Sequence, residues 1–357
     1  ETTTEYNTGL DATFLKGKLR FTVDVYQKYV KDLLQPKVKM PTTIGYGNGY
    51  QISYMNSGKM TNKGWEFRVD AVPFQNKDWR VGVYFNIAHN ENKITEMPDN
   101  YIEENYTFGN GNYAYRREEG RPMGSFYGYR YKGVYQNKDA TYARDIEGNV
   151  MKDISGNAIV MRNGSYTVAP GDAIYEDVNH DGVINQYDIV YLGNSNPRLT
   201  GGAGLNVSYK QFKLSAIFYG RYGQDVVNAT RLNNESMRGI DNQSTAVLRR
   251  WRNEGDQTDI PRALYGEGYN TLGSDRFVED ASYLRLKSLS FTYRLPKKAI
   301  QRWGFNNIDV YVTGYNLFTW TKYTGQDPEV KTENTYARDT ATTPASIQLV
   351  AGFNLSF

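Results

Sequence analysis

The sequence has 357 residues, with 42 Lys and Arg against 39 Asp and Glu, for a formal net charge of +3. That surplus is too small to argue for nucleic acid as a partner. No cysteine and only two histidines, His89 and His180, exclude disulfides and thiolate metal sites and leave little room for a histidine-based triad. Mean hydropathy is −0.67, and no apolar run reaches the length of a membrane helix. A membrane barrel stays open, because its strands alternate and average out as polar. Tyrosine is in excess, with 31 beside 15 Phe and 5 Trp. Strand propensity and interfacial girdles account for most of them, and ligand stacking is a further use. The chain begins at Glu1, without Met or a signal peptide. For an exported protein it therefore reads as a processed chain or a fragment.

The segment from Asn7 to Leu15 reads as a first strand, turning at Lys16-Gly17-Lys18. From Leu19 to Val30 the second strand puts Leu19, Phe21, Val23 and Val25 on one face. Arg20, Thr22, Asp24 and Tyr26 fall on the other. Charges alternating with aliphatics suit a wide barrel with a wet interior. The stretch 34–54, with Gly45, Gly47 and Gly49, is expected to be a flexible surface loop. Its glycines fit no strand-to-helix phosphate turn. A third strand, Met60 to Pro73, points Trp65, Phe67, Val69 and Ala71 outward and Glu66, Arg68 and Asp70 inward. After the turn Gln75-Asn76-Lys77, a fourth points Trp79, Val81, Val83, Phe85 and Ile87 outward, with Arg80, Gly82, Tyr84 and Asn86 inward. Trp65 and Trp79 each read as opening a strand, which puts them at opposite membrane interfaces.

A loop over 97–122 leads to a fifth strand, Ser125 to Gln136, dense in tyrosine. The span 137–200 is a long outer loop. Strands follow at Gly202 to Tyr209 and Phe212 to Tyr222. A second long outer loop covers 224–280. Within it Ser244 to Arg252 has helical spacing, with Val247, Leu248 and Trp251 packing on the barrel mouth and Arg249, Arg250 and Arg252 solvated. Strand eight is Tyr283 to Leu295, followed by a partly helical turn from Pro296 to Phe305. Strand nine runs from Asn307 to Trp320, and 321–344 is a loop. The last strand is Ser346 to Phe357, with Ile347, Leu349, Ala351, Phe353, Leu355 and Phe357 on one apolar face. Barrel connections alternate short and long, and strand five breaks that alternation. One strand is therefore missing or spurious, with 157–168 and 101–115 as candidates to fill a gap. Ten or eleven membrane strands are expected.

Asp177-Val178-Asn179-His180-Asp181-Gly182-Val183 continues to Asp188 and matches a calcium loop. Oxygen donors fall at Asp177, Asn179 and Asp181, with Gly182 at the sharp turn and the Val183 carbonyl next. Asp188 stands where a Glu is usual, and no helix precedes the loop. The plain alternative is an Asp/Asn/Gly turn bonded to itself. A bound Ca2+ here would be a structural clip on an outer loop. No carboxylate pair has a spacing that singles it out for catalysis, and an outer-membrane enzyme is the weakest reading.

Several segments together resemble one family. They are Asn56-Ser57-Gly58 with Asn62-Lys63-Gly64-Trp65-Glu66, and Gly124-Ser125-Phe126-Tyr127-Gly128-Tyr129 with Gly133-Val134-Tyr135-Gln136. Pro170-Gly171-Asp172, the acidic loop, Leu192-Gly193-Asn194 and Pro197 follow. Tyr283-Leu284-Arg285-Leu286-Lys287, Asn316-Leu317-Phe318-Thr319-Trp320-Thr321, Gly325-Gln326-Asp327-Pro328-Glu329 and a terminal aromatic complete the set. In order and spacing the chain is similar to the SusC-like (SusC/RagA) TonB-dependent outer-membrane transporters. The resemblance implies an all-β antiparallel barrel, of which this would be the C-terminal half of 22 strands, without the plug domain or TonB-contact segment. It implies import of oligosaccharides or peptides, a SusD-like lipoprotein lid, energy through TonB, and contact with outer-membrane lipid. It makes Phe357 resemble a terminal barrel-assembly signal at the periplasmic rim. A non-transporting scaffold role in a larger assembly is the alternative.

Overall fold

The computed structural model describes residues 1–39, 51–97, 111–266, 268–333 and 336–357, with side chains described outside 35–39, 51–55 and 332–333. Nine long strands form one continuous antiparallel sheet. They are β1 (Thr2–Phe14), β2 (Leu19–Lys31), β3 (Lys59–Gln75), β4 (Trp79–Glu96), β5 (Leu199–Tyr209), β6 (Phe212–Tyr222), β7 (Tyr283–Arg294), β8 (Asn307–Thr321) and β9 (Gln348–Ser356). Each pairs with the next in chain order, a pure meander with β1 and β9 as its edges.

Period 2 decides the two faces. Ladder rows run Val25–Trp65–His89 and Phe67–Ile87–Gly201, then Val83–Leu205–Ala216–Leu289, then Val312–Ala351. These belong to an outer face that is largely apolar and exposed, up to 75% for Leu349. The intervening rows carry Arg20 opposite Asp70, Thr22 opposite Arg68, and Asp24 opposite Glu66. A soluble sheet would cover such an apolar face, and here none of the described residues does.

The expected fifth strand is not part of the sheet. Residues 125–136 break into Ser125–Gly128, paired with Val190–Asn194, and Tyr131–Val134, paired with Ala173–Tyr175. Phe126 and Tyr127 are fully buried, so the segment has no face to offer lipid. Gly124 at φ +84 and Gly133 at φ +116 take conformations that an unbroken strand does not. Its removal gives nine strands rather than ten or eleven and restores strict alternation. Short turns at 15–18, 76–78, 210–211 and 295–306 lie at one end. Long excursions at 32–58, 97–198, 223–282 and 322–347 lie at the other. Of the two candidates for a missing strand, 157–168 holds only the short strands Arg162–Asn163 and Tyr166–Thr167, and 101–110 lies outside the described residues.

Unlike the wall, the excursions build hydrophobic cores of their own. Four buried clusters, centred on Tyr127/Tyr175/Leu272, Phe126/Leu232/Phe277, Val226/Tyr323/Ala337 and Met237/Val247/Ile260, lie entirely outside the nine strands. Stretches 34–39 and 51–56 pair as a hairpin, where a loop was expected; the glycine run at 45–49 lies outside the described residues. The helical stretch is a short 3-10 turn, Thr245–Arg249, capped by Ser244. Val247 is buried but Leu248 is exposed, because a 3-10 turn does not bring adjacent residues onto one face. Trp251 closes against Gly171 instead, where a Cβ would meet the indole.

Candidate functional site

The polar face of the sheet is the first element of the site. Arg68 grips Asp70 through two bonds of 2.7 and 2.8 Å. Arg20 lies 3.5 Å from Asp11, which also accepts from Thr22. Lys28 pairs with Glu5 at 3.2 Å. Such exposed pairs add little stability; they keep the face hydrated. Three tyrosines on it lie over glycines of the neighbouring strand. Tyr26 faces Gly64, Tyr84 faces Gly204 and Tyr311 faces Gly352. A Cβ at any of these glycines would run into the ring. The rings therefore lie flat along the wall and do not stand out from it. Lys28 and Arg68 sit over two of them, at 5.6 and 5.5 Å from the ring centroids. Toward the short turns, Arg20, Thr22, Arg68, Asp70, Tyr84 and Asn206 line a polar depression of about 530 Å³.

At the other end the wall meets the excursions. Arg285 on β7, only 2% exposed, donates to Thr319 and Glu329 at 2.8 Å each and to Asp327. Lys287 reaches the same Glu329 at 2.8 Å. This anchors the segment 322–347 to the wall. Arg221, Asp327, Glu329, Arg338 and Asp339 line a second polar depression of about 750 Å³ behind it. Burial pushes the Tyr323 hydroxyl well up, and its bond to Asp339 adds to the shift.

A second tie lies farther out. Asp172 is fully buried and accepts from Arg262 Nε at 2.7 Å, Ala169 N at 2.8 Å, Tyr166 Oη at 2.9 Å and Asn270 Nδ2 at 3.1 Å. It joins the two long excursions. Burial raises the Tyr166 hydroxyl to about 12, and the Asp172 charge contributes to that shift.

The acidic loop folds as the sequence suggests in part. His180 at φ +56 and Gly182 at φ +81 curl it. Asp177 accepts from Asp181 N at 3.2 Å and Gly182 N at 2.8 Å. Asn179 accepts from Asp181 N, and Asp181 from Val183 N. Asp188 turns inward, fully buried, accepting from Val178 N and Asn185 N at 2.8 Å each. The Val183 carbonyl accepts from Asn185 Nδ2 at 3.1 Å. Burial pushes the Asp188 carboxyl up; its two amide donors oppose this, and the charges of Asp177 and Asp181 add to it. Among the described residues no three Asp, Glu, His or Cys side chains converge as a metal site. A cation here would have to draw on Asn179 and the Val183 carbonyl as well. The loop, as it stands, satisfies its own polar groups.

No protein-family model matches the chain. It is 32% identical over 341 residues to TonB-dependent receptor P3 of Formosa agariphila, covering 94% of this chain and 31% of that protein. It is 29% identical over 366 residues to the TonB-dependent receptor SusC of Bacteroides thetaiotaomicron, covering 100% of this chain and 32% of that one. The solved RagAB peptide transporter superposes with a TM-score of 0.71 at 28% identity, over 99% of this chain and 35% of the matched chain. The chain belongs to the SusC-like TonB-dependent receptors. It spans about a third of the length of these relatives.

SusC-like receptors are outer-membrane β-barrels, so the apolar face meets lipid and the polar face lines the lumen. Trp79 opens β4 at the short-turn end, packed on Tyr209 at 4.3 Å. Trp65 does not open a strand as expected; it lies within β3, opposite His89. From position 79 to 89 the strand rises roughly 33 Å, or about 25 Å across a tilted wall, which matches the apolar band of a barrel. The two indoles thus bracket the membrane as expected. His89 faces outward with Nδ1 2.6 Å from the Arg198 carbonyl, which gives it a structural role. Sequence reasoning found Arg20, Asp24, Glu66, Arg68 and Asp70 on the lumen face. It missed the tyrosine–glycine seats, which only the strand register reveals. It also missed that Tyr283–Lys287 and Gly325–Glu329, two of the shared motifs, form one contact through Arg285.

Proposed function

We propose that this chain forms part of the barrel of an importer that carries a polar oligomer, a glycan or a peptide, across the outer membrane. The lumen wall carries the reading. Its side chains alternate in charge, its tyrosines are held flat, and small residues keep the bore clear. A flat aromatic face stacks on a sugar ring or a peptide plane, and nearby Arg, Asp and Asn groups match the hydroxyls or amides. We further infer that the complete receptor is the SusC-like half of a pair with a SusD-like lipoprotein lid, draws energy through TonB, and carries its plug in sequence outside these residues, with this chain as the C-terminal part of the barrel. Similarity to the RagAB peptide transporter supports the peptide class, and the chemistry of the wall admits a glycan as well. The test is uptake of labelled oligosaccharides and labelled peptides by cells with and without the complete receptor. One class should fail to enter when the receptor or TonB is removed. Unchanged entry of both would overturn the proposal.

We also propose that Asp177, Asn179, Asp181, Val183 and Asp188 hold a structural Ca2+. Three side-chain oxygens on alternate residues of a curled loop suit a hard cation. The buried Asp188 carboxylate, near two others, has charge for a cation to offset. Protease resistance of residues 177–188 in the complete receptor should rise with Ca2+ and fall with chelator, and Asp177→Ala should abolish the response. Equal resistance in both conditions would sink the idea.

A further inference from the structure

The lipid-facing wall is indented where it nears the excursions. Where β4 to β8 approach the long excursions, a trough of about 730 Å³ opens on the outer face. Its floor is made of small outward residues. Gly201 lies between Ile87 and Gly220, and Ala203 between Phe85 and Phe218. Its sides are Phe85, Leu284 and Trp320, which are 43%, 47% and 52% exposed. Elsewhere on this face the outward positions carry projecting groups such as Val83, Leu214 and Phe291. The rim toward the excursions is polar, formed by Asp280, Ser282, Thr321 and Lys322. Asp280 is engaged by both the amide and the hydroxyl of Ser282. Lys322 is exposed, and no ion pair is formed by it among the described residues.

We propose that this trough is a binding site for an acyl tail of an anionic phospholipid-type molecule in the outer leaflet, with its phosphate met by Lys322. The long excursions mark the outer end of the strands, so the polar rim stands at headgroup level and the trough descends from it into hydrocarbon. A gap in that wall, left unfilled, would forfeit dispersion contacts along its whole lining. The strand axes of β4 and β7 are three ladder spacings apart, roughly 14 Å. Phe85 and Leu284 stand within that width, which leaves space for hydrocarbon tails but not for a helix of ~10 Å diameter. Lys322 at the mouth, in no ion pair among the described residues, complements a phosphate, and cationic side chains at this depth draw anionic lipid. Trp320 places an indole at the same level, where amphipathic rings anchor to the interface.

The site rests on the outer-membrane placement of the wall and not on what the receptor transports. The test uses the complete receptor in nanodiscs of phosphatidylglycerol or phosphatidylcholine doped with the matching lipid carrying a diazirine on its acyl chain. Photolabelled residues are mapped by mass spectrometry. Label should concentrate on Ala203, Leu284 and Trp320 above outward positions outside the trough, such as Val310 and Phe353. Ala203→Leu, which fills the floor, should return trough labelling to the level of Val310. Lys322→Gln, at an exposed site with no packing to lose, should lower the preference for phosphatidylglycerol by about fivefold. Even labelling over the outward face, or trough labelling indifferent to both substitutions, would overturn the site while leaving the membrane placement intact. Absence of label from every outward position would instead overturn the placement.

Discussion

The wall and the excursions are built for different solvents, and they fold by different rules. The nine strands bury few side chains within the chain, Ile94 and Leu286 among them; most of their outward apolar residues, from Leu10 on β1 to Phe353 on β9, stay at least partly exposed for lipid to cover. The excursions assemble four buried clusters from residues as far as 164 positions apart (277 − 113) and pin them with buried polar ties at Asp172 and Arg285. In the wall, each residue's role follows from its parity. In the excursions it follows from which distant segment it meets. The wall can therefore lose a side chain without losing its shape, whereas the excursions depend on a few hubs.

The largest effect separating the two regions is expected at Asp172. Asp172→Ala leaves Arg262 and Asn270 facing a buried void, at a cost of ~3–5 kcal/mol to the excursions. Limited proteolysis should cut within 137–198 and 223–282, while heat-modifiable migration of the barrel on gels stays unchanged. Loss of barrel migration as well would mean that the two regions are not separable. Next comes a contrast within the wall. Val83→Arg, outward, should destabilise the folded barrel by ~2–4 kcal/mol, and Asn206→Arg, inward, by much less; urea unfolding in vesicles reads both. Equal effects would erase the distinction between faces. Gly204→Val should lift Tyr84 off the wall. Import of the largest accepted substrate should slow, by a factor of about three to ten, the scale of a misplaced contact, with little change in unfolding. An unchanged rate would remove the seated tyrosines from the account.

The smallest effect concerns pH. The folded Asp188 carboxyl lies above its ordinary 3.8, so the folded loop holds more protons than the unfolded one in the window between the two values. Its stability is greatest below about pH 4 and falls as pH rises through the raised value. Hydrogen-exchange protection at Val178 and Asn185, corrected for intrinsic rates, should decline over that window, and Ca2+ should remove the decline. Protection that rises with pH would reverse the sign.

The sequence was most legible where geometry is local. Alternation found all nine wall strands, although β1 starts five residues before Asn7 and β4 runs on past Ile87 to Glu96, and it assigned Arg20, Asp24, Glu66, Arg68 and Asp70 to the correct face, because a one-residue slip would move every side chain across the wall. It misread residues 125–136, since a tyrosine-rich run buried on both sides reads like one buried on one side. Helical spacing at 244–252 suggested a longer element than the 3-10 turn that forms. Gly204 could not be seen as the seat of Tyr84, because 120 positions (204 − 84) separate them and only the register makes them neighbours. The motifs around Arg285 and Asp327 were visible as a resemblance, but their contact was not.

The central claim is that one face of this sheet meets lipid and the other meets the water-filled lumen. These 357 residues contain no cysteine, so single cysteines can be placed at residues 81 to 86 of β4 in the complete receptor, with any cysteine outside this stretch replaced by serine, in intact outer membranes. Fluorophores at Val81, Val83 and Phe85 should be quenched by a lipid-dissolved quencher and spared by a water-soluble one. Those at Gly82, Tyr84 and Asn86 should show the reverse. Strict alternation of the two quenchers is the predicted result, and uniform quenching of all six positions by either one would contradict it.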